Sequence, residues 1–346
     1  MTDLWEDFYL TKSDLDATKK IIADQHFGPE FYRKKTDGLI KQNGKMIRAA
    51  LTILFGRYAV ENKTFVNSVD IESSTKKIRQ AAAAIELLHL ATLVHDDVID
   101  ASPERRGLPT LQTSFQNKDA IYLGDILFTK YFQMLVKIAP DISFIDFHSR
   151  FMEKILDGEL KQDSLRFDSD LTFENYIDVI SKKTAALFAL ASISGFWIGT
   201  AIKEYKQISK NKLFSTINDF GKNIGIAFQI IDDLQDLDPK VYTGKPKFED
   251  FKEGVYTLPI IIASSDKDFK KQIMDNDKFD RKKLEEYFRS KPEILKKTLD
   301  IGYDFIQRAQ IDLDKLPVIN NQIKSEVQKI IDIIKDQLNL INTTSI

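Results

Sequence analysis

At 346 residues, 43% hydrophobic and 29% charged, the chain has material for a large apolar core and the composition of an ordinary globular protein. Its 50 basic and 52 acidic residues leave a net charge of −2, so no global field argues for nucleic acid or an anionic membrane surface, and any anion site must be local. The absence of cysteine excludes disulfides, thiolate metal sites and cysteine nucleophiles. Together with an acidic opening, MTDLWEDFYL, that lacks the basic-then-apolar order of a secretory signal, it sets the expectation of a cytoplasmic protein.

Only 14 Gly and 9 Pro punctuate the chain, while Leu, Ile, Lys, Ala and Glu recur at helical period, which predicts an all-α protein. Helices are expected over 5–24, 29–37, 45–60, 74–100, 118–138, 143–163, 172–182, 184–203, 211–237, 256–264, 281–288, 292–312 and 320–340. No solenoid-period repeat, low-complexity tract or Pro/Ser-rich linker interrupts them, so the expectation is one domain over 1–346.

In chain order, NGKMIRA first places Lys45 and Arg48 three apart, on one helix face if the helix begins there. The helix over 74–100 runs AAAAIELLHLATLVHDDVID, good helix formers with almost no charge until Asp96, Asp97 and Asp100. Asp96 and Asp100 lie about 40° apart on the helix, so both carboxylates share a face, where like charges repel. His89, two turns earlier, lies about 20° off that face. A lone histidine on an apolar helix is most often a satisfied core residue, yet this one is also placed to donate to a phosphate. PERRGLPT then sets Arg105 and Arg106 just beyond the motif.

SKKTAALF puts Lys183 and Thr184 at the head of an uncharged run, Thr184 to Ile202. That run is long enough to be weighed as a membrane span. Its Ser, Thr and Gly content and the lack of a second span favour a central helix covered on all sides. GIAFQIIDDLQDL repeats the acidic device with Asp232, Asp233 and Asp236, again ending a long apolar helix, and TGKPKFED follows with Lys245 and Lys247.

One such acidic motif alone is most simply a solvated helix end, and each basic residue alone is most simply surface charge. Two copies, each closing an apolar helix and each followed by cations, point to a divalent ion and a phosphate-bearing ligand. Mg²⁺ is commonly held by one or two carboxylates together with waters and substrate phosphates, and Lys and Arg supply the remaining countercharge.

Taken in order, ELLHLATLVHDDVID with RRGLPT, KKTAALF, GIAFQIIDDLQDL, TGK and EGVYTLP resemble the all-trans polyprenyl diphosphate synthases over about residues 40–265. The resemblance implies the all-α isoprenoid synthase fold, a helical bundle around a central cavity. It implies prenyl transfer in which isopentenyl diphosphate adds to an allylic diphosphate after ionisation of the C–O bond, followed by proton loss. Asp96, Asp100 and Asp232, supported by Asp97, Asp233 and Asp236, would hold a cluster of about three Mg²⁺ ions. Arg105, Lys183 and Lys245 would neutralise the allylic diphosphate, with Thr184 and Gln229 lining its site, and Lys45, Arg48, His89 and Arg106 would hold isopentenyl diphosphate. A dimer is implied, a homodimer or a heterodimer with a small subunit. Two departures stand out: Ala49 where the pattern usually has proline, and Val255 where a lysine is frequent, for which Lys247 or Lys252 is the candidate substitute.

Ala91 and Thr92, five and four residues before Asp96, are small where short-chain relatives carry bulky aromatics. With the Ala81–Ala84 run beyond them, they imply an open tunnel and a product longer than C20, about C30 to C40, whose release implies transient membrane contact. A farnesyl or geranylgeranyl synthase is the alternative within the family. Terpene cyclases share the fold but need Ser or Thr where Asp236 stands. Glu86 and His89 have the Glu-x-x-His spacing of di-iron bundles, but no second copy accompanies them.

Overall fold

In the computed structural model of the chain, residues 4–32, 36, 38, 44–62, 64–65, 70–105, 107–200, 202–237, 247–274 and 279–344 are described. The main helices are α1 (Thr11–Ala23), α2 (Ile47–Glu61), α3 (Ile71–Ile99), α4 (Asn117–Ile138), α5 (Ile142–Ser164), α6 (Phe173–Ile180), α7 (Ala186–Gly199), α8 (Lys212–Leu237), α9 (Leu258–Ala263), α10 (Arg281–Ser290), α11 (Pro292–Lys315) and α12 (Asn321–Thr344). Among the described residues the only strands are β1 (Glu104–Arg105) and β2 (Leu108–Pro109), a short antiparallel pair in a segment the sequence presents as loop. Of the helix expected over 29–37, residues 30–32 and 36 are described and helical, while 33–35 and 37 lie outside the described residues.

The chain divides into two compact units. The first comprises Met1–Arg150, Leu187–Asp219 and Leu313–Ile330. Here α3 starts where the Asp70 side chain accepts the free N–H groups of Glu72 and Ser73. Its Ala81–Ala84 run is buried on every side, as is nearly all of α2, so α2 has almost no polar face to orient it. Close approach to α7 orients it instead. A Cβ on Gly195 of α7 would collide with the Thr52 carbonyl oxygen, so only glycine permits this contact. Thr52 Oγ1 also donates to the Ala191 carbonyl at 2.9 Å. Asp14 of α1, 1% exposed, is held by Arg57 and Arg79, both at 2.6 Å, which ties α1 to α2 and α3 through a paired rather than an orphaned buried charge.

His148 is wholly buried in the same unit. Ser194 donates to the Leu190 carbonyl and so accepts from His148 Nε2 at 3.0 Å, which leaves Nδ1 to accept from the Tyr131 hydroxyl at 2.7 Å. Burial without a carboxylate partner depresses this imidazole to about 3.

The second unit comprises Phe151–Ala186, Phe220–Asp312 and Ile331–Ile346. The two helices expected at 172–182 and 184–203 are α6 and α7, joined without interruption by a π-helical turn at Ser181–Ala185. The stretch Phe173–Gly199 is the one described helix long and apolar enough to cross a membrane, and 83% of its most apolar window is buried within the protein, as a core helix would be.

Candidate active site

In the first unit, α3 delivers the first aspartate motif. Asp100 caps the helix and is exposed, its N–H bonded to the Asp96 carbonyl at 2.8 Å, while Asp96 is half-buried. Asp97, rotated 100° from Asp96, points inward and is 3% exposed. The β1–β2 turn, with Gly107 at φ +77°, brings Arg105 back over the helix end, where its Nε and Nη2 lie 2.8 and 2.7 Å from Asp97 Oδ1. Asp97, expected to support the metal, and Arg105, expected on the allylic diphosphate, are thus ion-paired with each other in this structure. Arg106 lies outside the described residues.

Arg48 and His89, both expected to hold one diphosphate, do come together, with Nη1 3.3 Å from Nε2, and the guanidinium lies 4.2 Å over the Phe188 ring. Lys45 does not share their helix. Met46 sits in the left-handed region at φ 51° and α2 begins only at Ile47, so Lys45 is exposed on the segment before it, with its carbonyl accepting from Trp5 Nε1. Ala49 answers one of the two departures. Its N–H, one of the free donors of the first turn, gives a 3.1 Å hydrogen bond to Glu86 Oε1, which a proline there would lack. Glu86 is thereby accounted for without iron.

The chain-length residues separate as well. Ala91 is 0% exposed and faces no open space, whereas Thr92 is half-buried, a turn before Asp96, with its hydroxyl turned back to the His89 carbonyl at 2.8 Å.

In the second unit the π turn sets the geometry. Widening the ring to i→i+5 inserts a residue into an otherwise continuous helix, and here that residue falls among Lys183 and Thr184. Lys183 Nζ reaches Glu159 of α5 at 2.7 Å, and Thr184 Oγ1 donates to Gln229 Oε1 of α8 at 2.6 Å. The close passage of α5 depends on Gly158, where a Cβ would lie 2.7 Å from the Lys183 nitrogen. Gln229 Nε2 in turn donates to Asp233 Oδ1 at 2.9 Å, and the Tyr176 hydroxyl donates to Oδ2 at 2.6 Å.

Asp233, expected among the metal-holding residues, is 3% exposed and, like Asp97, engaged by protein side chains. Burial raises its carboxyl to about 6 against the pull of those donors. Asp236 is pushed to about 7 by burial and by the nearby charge of Asp250, with Lys247 opposing. Asp232 is exposed. Lys247 is buried with its ammonium on the Gln235 carbonyl, capping α8, and Lys252, the other candidate for the lysine absent at Val255, pairs with Glu249 at the surface. Lys245 lies outside the described residues.

The donor set fits Mg²⁺ in kind: Asp96, Asp100 and Asp232 are accessible hard oxygen ligands on helix ends. Among the described residues no three His, Asp or Glu side chains converge on one point. Sequence reasoning passed over Tyr176 and Glu159, and met Glu86 only in its spacing to His89. Gly158 next to Glu159, a glycine inside a long helix, is the one signal that marked a close approach there.

The profile of the polyprenyl synthetases matches residues 29–291. The chain belongs to the polyprenyl synthetase family. It is 35% identical over 257 residues to the octaprenyl diphosphate synthase of Escherichia coli, covering 73% of each chain. Its fold matches the crystal structure of a geranylgeranyl pyrophosphate synthase from Lactobacillus brevis at a TM-score of 0.82 and 31% identity, over 96% of this chain and 98% of that one. It also matches a Caulobacter crescentus polyprenyl synthase complexed with calcium and isoprenyl diphosphate, at 0.80 and 25% identity over 96% of each. This polyprenyl synthetase is therefore an all-α prenyltransferase of the isoprenoid synthase fold, and its relatives include makers of both short and long chains.

Proposed function

We propose that this chain is an all-trans polyprenyl diphosphate synthase that adds isopentenyl diphosphate to an allylic diphosphate with Mg²⁺ as cofactor and makes a product longer than C20, about C30 to C40. The observation that carries the chain-length reading is Thr92, a small, partly accessible side chain one turn before Asp96. A diphosphate anchored at Asp96 and Asp100 has its tail pass that residue early.

In this reading Asp96, Asp100 and Asp232, with Asp236, hold the metal, which supplies electrostatic stabilisation to the departing diphosphate. Arg48 and His89 bind the diphosphate of isopentenyl diphosphate, with Lys45 reaching in from the segment before α2. Lys183 lends positive charge to the allylic diphosphate, with Glu159 fixing its position. The Thr184–Gln229–Asp233–Tyr176 chain keeps the helix carrying the second motif in register. Arg105 orders the first motif through Asp97. Arg106 and Lys245 complete the basic set. Ile121, Tyr122 and Val136, large apolar side chains exposed on α4, support a homodimer, with a small-subunit heterodimer as the alternative.

The test is the purified chain alone with labelled isopentenyl diphosphate and farnesyl diphosphate, its products separated by reverse-phase chromatography. Products longer than C20, silenced by EDTA and restored by Mg²⁺, are expected. A C15 or C20 product overturns the chain-length reading, full turnover after demonstrated metal removal overturns the metal, and inactivity relieved by a small subunit establishes the heterodimer.

A further inference from the structure

We propose that the second unit carries a separate anion site, a cavity of about 360 Å³ ringed by Lys154, Lys182 and Lys222, that binds a small polyphosphate such as inorganic diphosphate without a metal ion. None of its lining residues belongs to an aspartate motif or to the basic set assigned above.

Charge is the first argument. Lys154 comes from α5, Lys182 from the π turn and Lys222 from α8, and the lining also includes Asp178 and Glu174. Asp178 is already engaged, by Lys161 at 2.8 Å and by Lys182 at 3.2 Å, and those contacts, Lys161 foremost, hold its carboxyl below the usual range. The lining itself thus holds three ammonium groups and two carboxylates, one of which Lys161 also engages from outside. Neither Lys154 nor Lys222 has a carboxylate within ion-pair distance among the described residues. Like charges gathered without counterions are unfavourable unless an anion joins them. Burial lowers the Lys154 pKa first, the charges of Lys222 and Lys182 lower it further, and the charge of Asp178 opposes them.

The second argument is Ser181. It is 7% exposed, lines the cavity, and its hydroxyl has no hydrogen-bond partner. A buried hydroxyl left unpaired costs about 1–3 kcal/mol, and an anion oxygen in the cavity would accept its proton. Size and chemistry then choose the ligand. The volume is at the small end for ligand cavities, and three flexible ammonium donors suit phosphate oxygens rather than a planar carboxylate fork. Occupancy would tether α5, the π turn and α8, the segments that carry Glu159, Lys183 and Gln229.

The same chemistry is offered by free diphosphate and by a phospholipid headgroup, and the test separates them. The full-length chain is titrated calorimetrically with inorganic diphosphate in EDTA. A Lys154→Gln/Lys222→Gln variant, changed at two exposed lysines and checked by circular dichroism, is expected to lose one binding step or to weaken it about tenfold or more. Ser181→Ala is expected to weaken the same step less. Vesicles of phosphatidylglycerol are run beside it in co-sedimentation. Diphosphate binding indistinguishable between wild type and the double variant overturns the proposal, and so does lysine-dependent binding confined to vesicles. Because no divalent ion or prenyl substrate is present, the outcome is independent of the condensation reading. The double variant is further expected to condense prenyl substrates at the wild-type rate when diphosphate is kept low.

Discussion

The Tyr176 hydroxyl donates a 2.6 Å hydrogen bond to Oδ2 of Asp233, and both residues are buried. The middle aspartate of the second motif is therefore an internal fixture of α8. Burial nevertheless raises its carboxyl from 3.8 to about 6. A raised folded-state pKa gives stability that is present below the unfolded value and lost as pH rises through the folded one. Tyr176→Phe removes a donor to the charged form, so the variant is expected to lose about 1–3 kcal/mol at pH 8, where the carboxylate is ionised, and less at pH 5. Urea denaturation at the two pH values checks it.

The two kinds of aspartate divide activity from stability. Asp96→Ala and Asp232→Ala are expected to lower condensation by far more than tenfold with little change in unfolding midpoint. Asp97→Asn breaks the buried pair with Arg105 and is expected to cost about 3 kcal/mol of stability. Steady-state rates beside urea curves for the three variants separate the roles, and an Asp96→Ala enzyme that keeps a tenth of its activity removes the metal assignment.

Ala49→Pro tests what the departure from the family pattern does. Proline fits the first turn sterically, so the expected loss is that of the N–H donor to Glu86, about 1–2 kcal/mol. In a cycle with Glu86→Ala, the proline should cost nearly nothing once the acceptor is gone, as measured by chemical denaturation.

Filling the site beside the first motif should shorten the product from one position only. Thr92→Tyr is expected to cut the chain to about C15–C20 with the first condensation preserved, since it stands one turn from Asp96. Ala91→Phe, at a fully covered position, is expected to destabilise by about 1–3 kcal/mol through overpacking. Product chromatography and thermal unfolding tell the two apart.

His148 gives the acid limit. Its pKa is depressed from 6.5 to about 3, so it contributes stability above pH 6.5 that is lost as pH falls towards 3. Its imidazole proton resonances are expected to stay at their neutral positions from pH 7 down to pH 5, as read by proton NMR.

The helices were legible because periodic hydrophobicity is a strong signal, and the ends of α3 and α8 because charge appears abruptly there. The inward turn of Asp97 and Asp233 follows from the same 100° step that places Asp96 and Asp232 outside, yet spacing alone did not say which member of each pair faces in. Lys45 was misplaced because a single left-handed residue, Met46, delays the helix without leaving a trace in composition. The β1–β2 pair is too short for a period, and Arg105's partner is set by that turn. Lys154 and Lys222 are far apart in sequence, so nothing in the chain marks their cavity.

The π turn at Ser181–Ala185 makes the length of the chain itself a functional variable. A helix with one surplus residue relaxes to a regular helix if a residue of the turn is deleted, and the side chains within the turn are then re-aimed by up to about 100° while the flanking helices keep their register. Deleting Lys182 would leave the composition of the site untouched and still send Lys183 and Thr184 away from Glu159 and Gln229. Substitution scanning reads what each side chain contributes here. Only an insertion or deletion series reads the spacing that aims them.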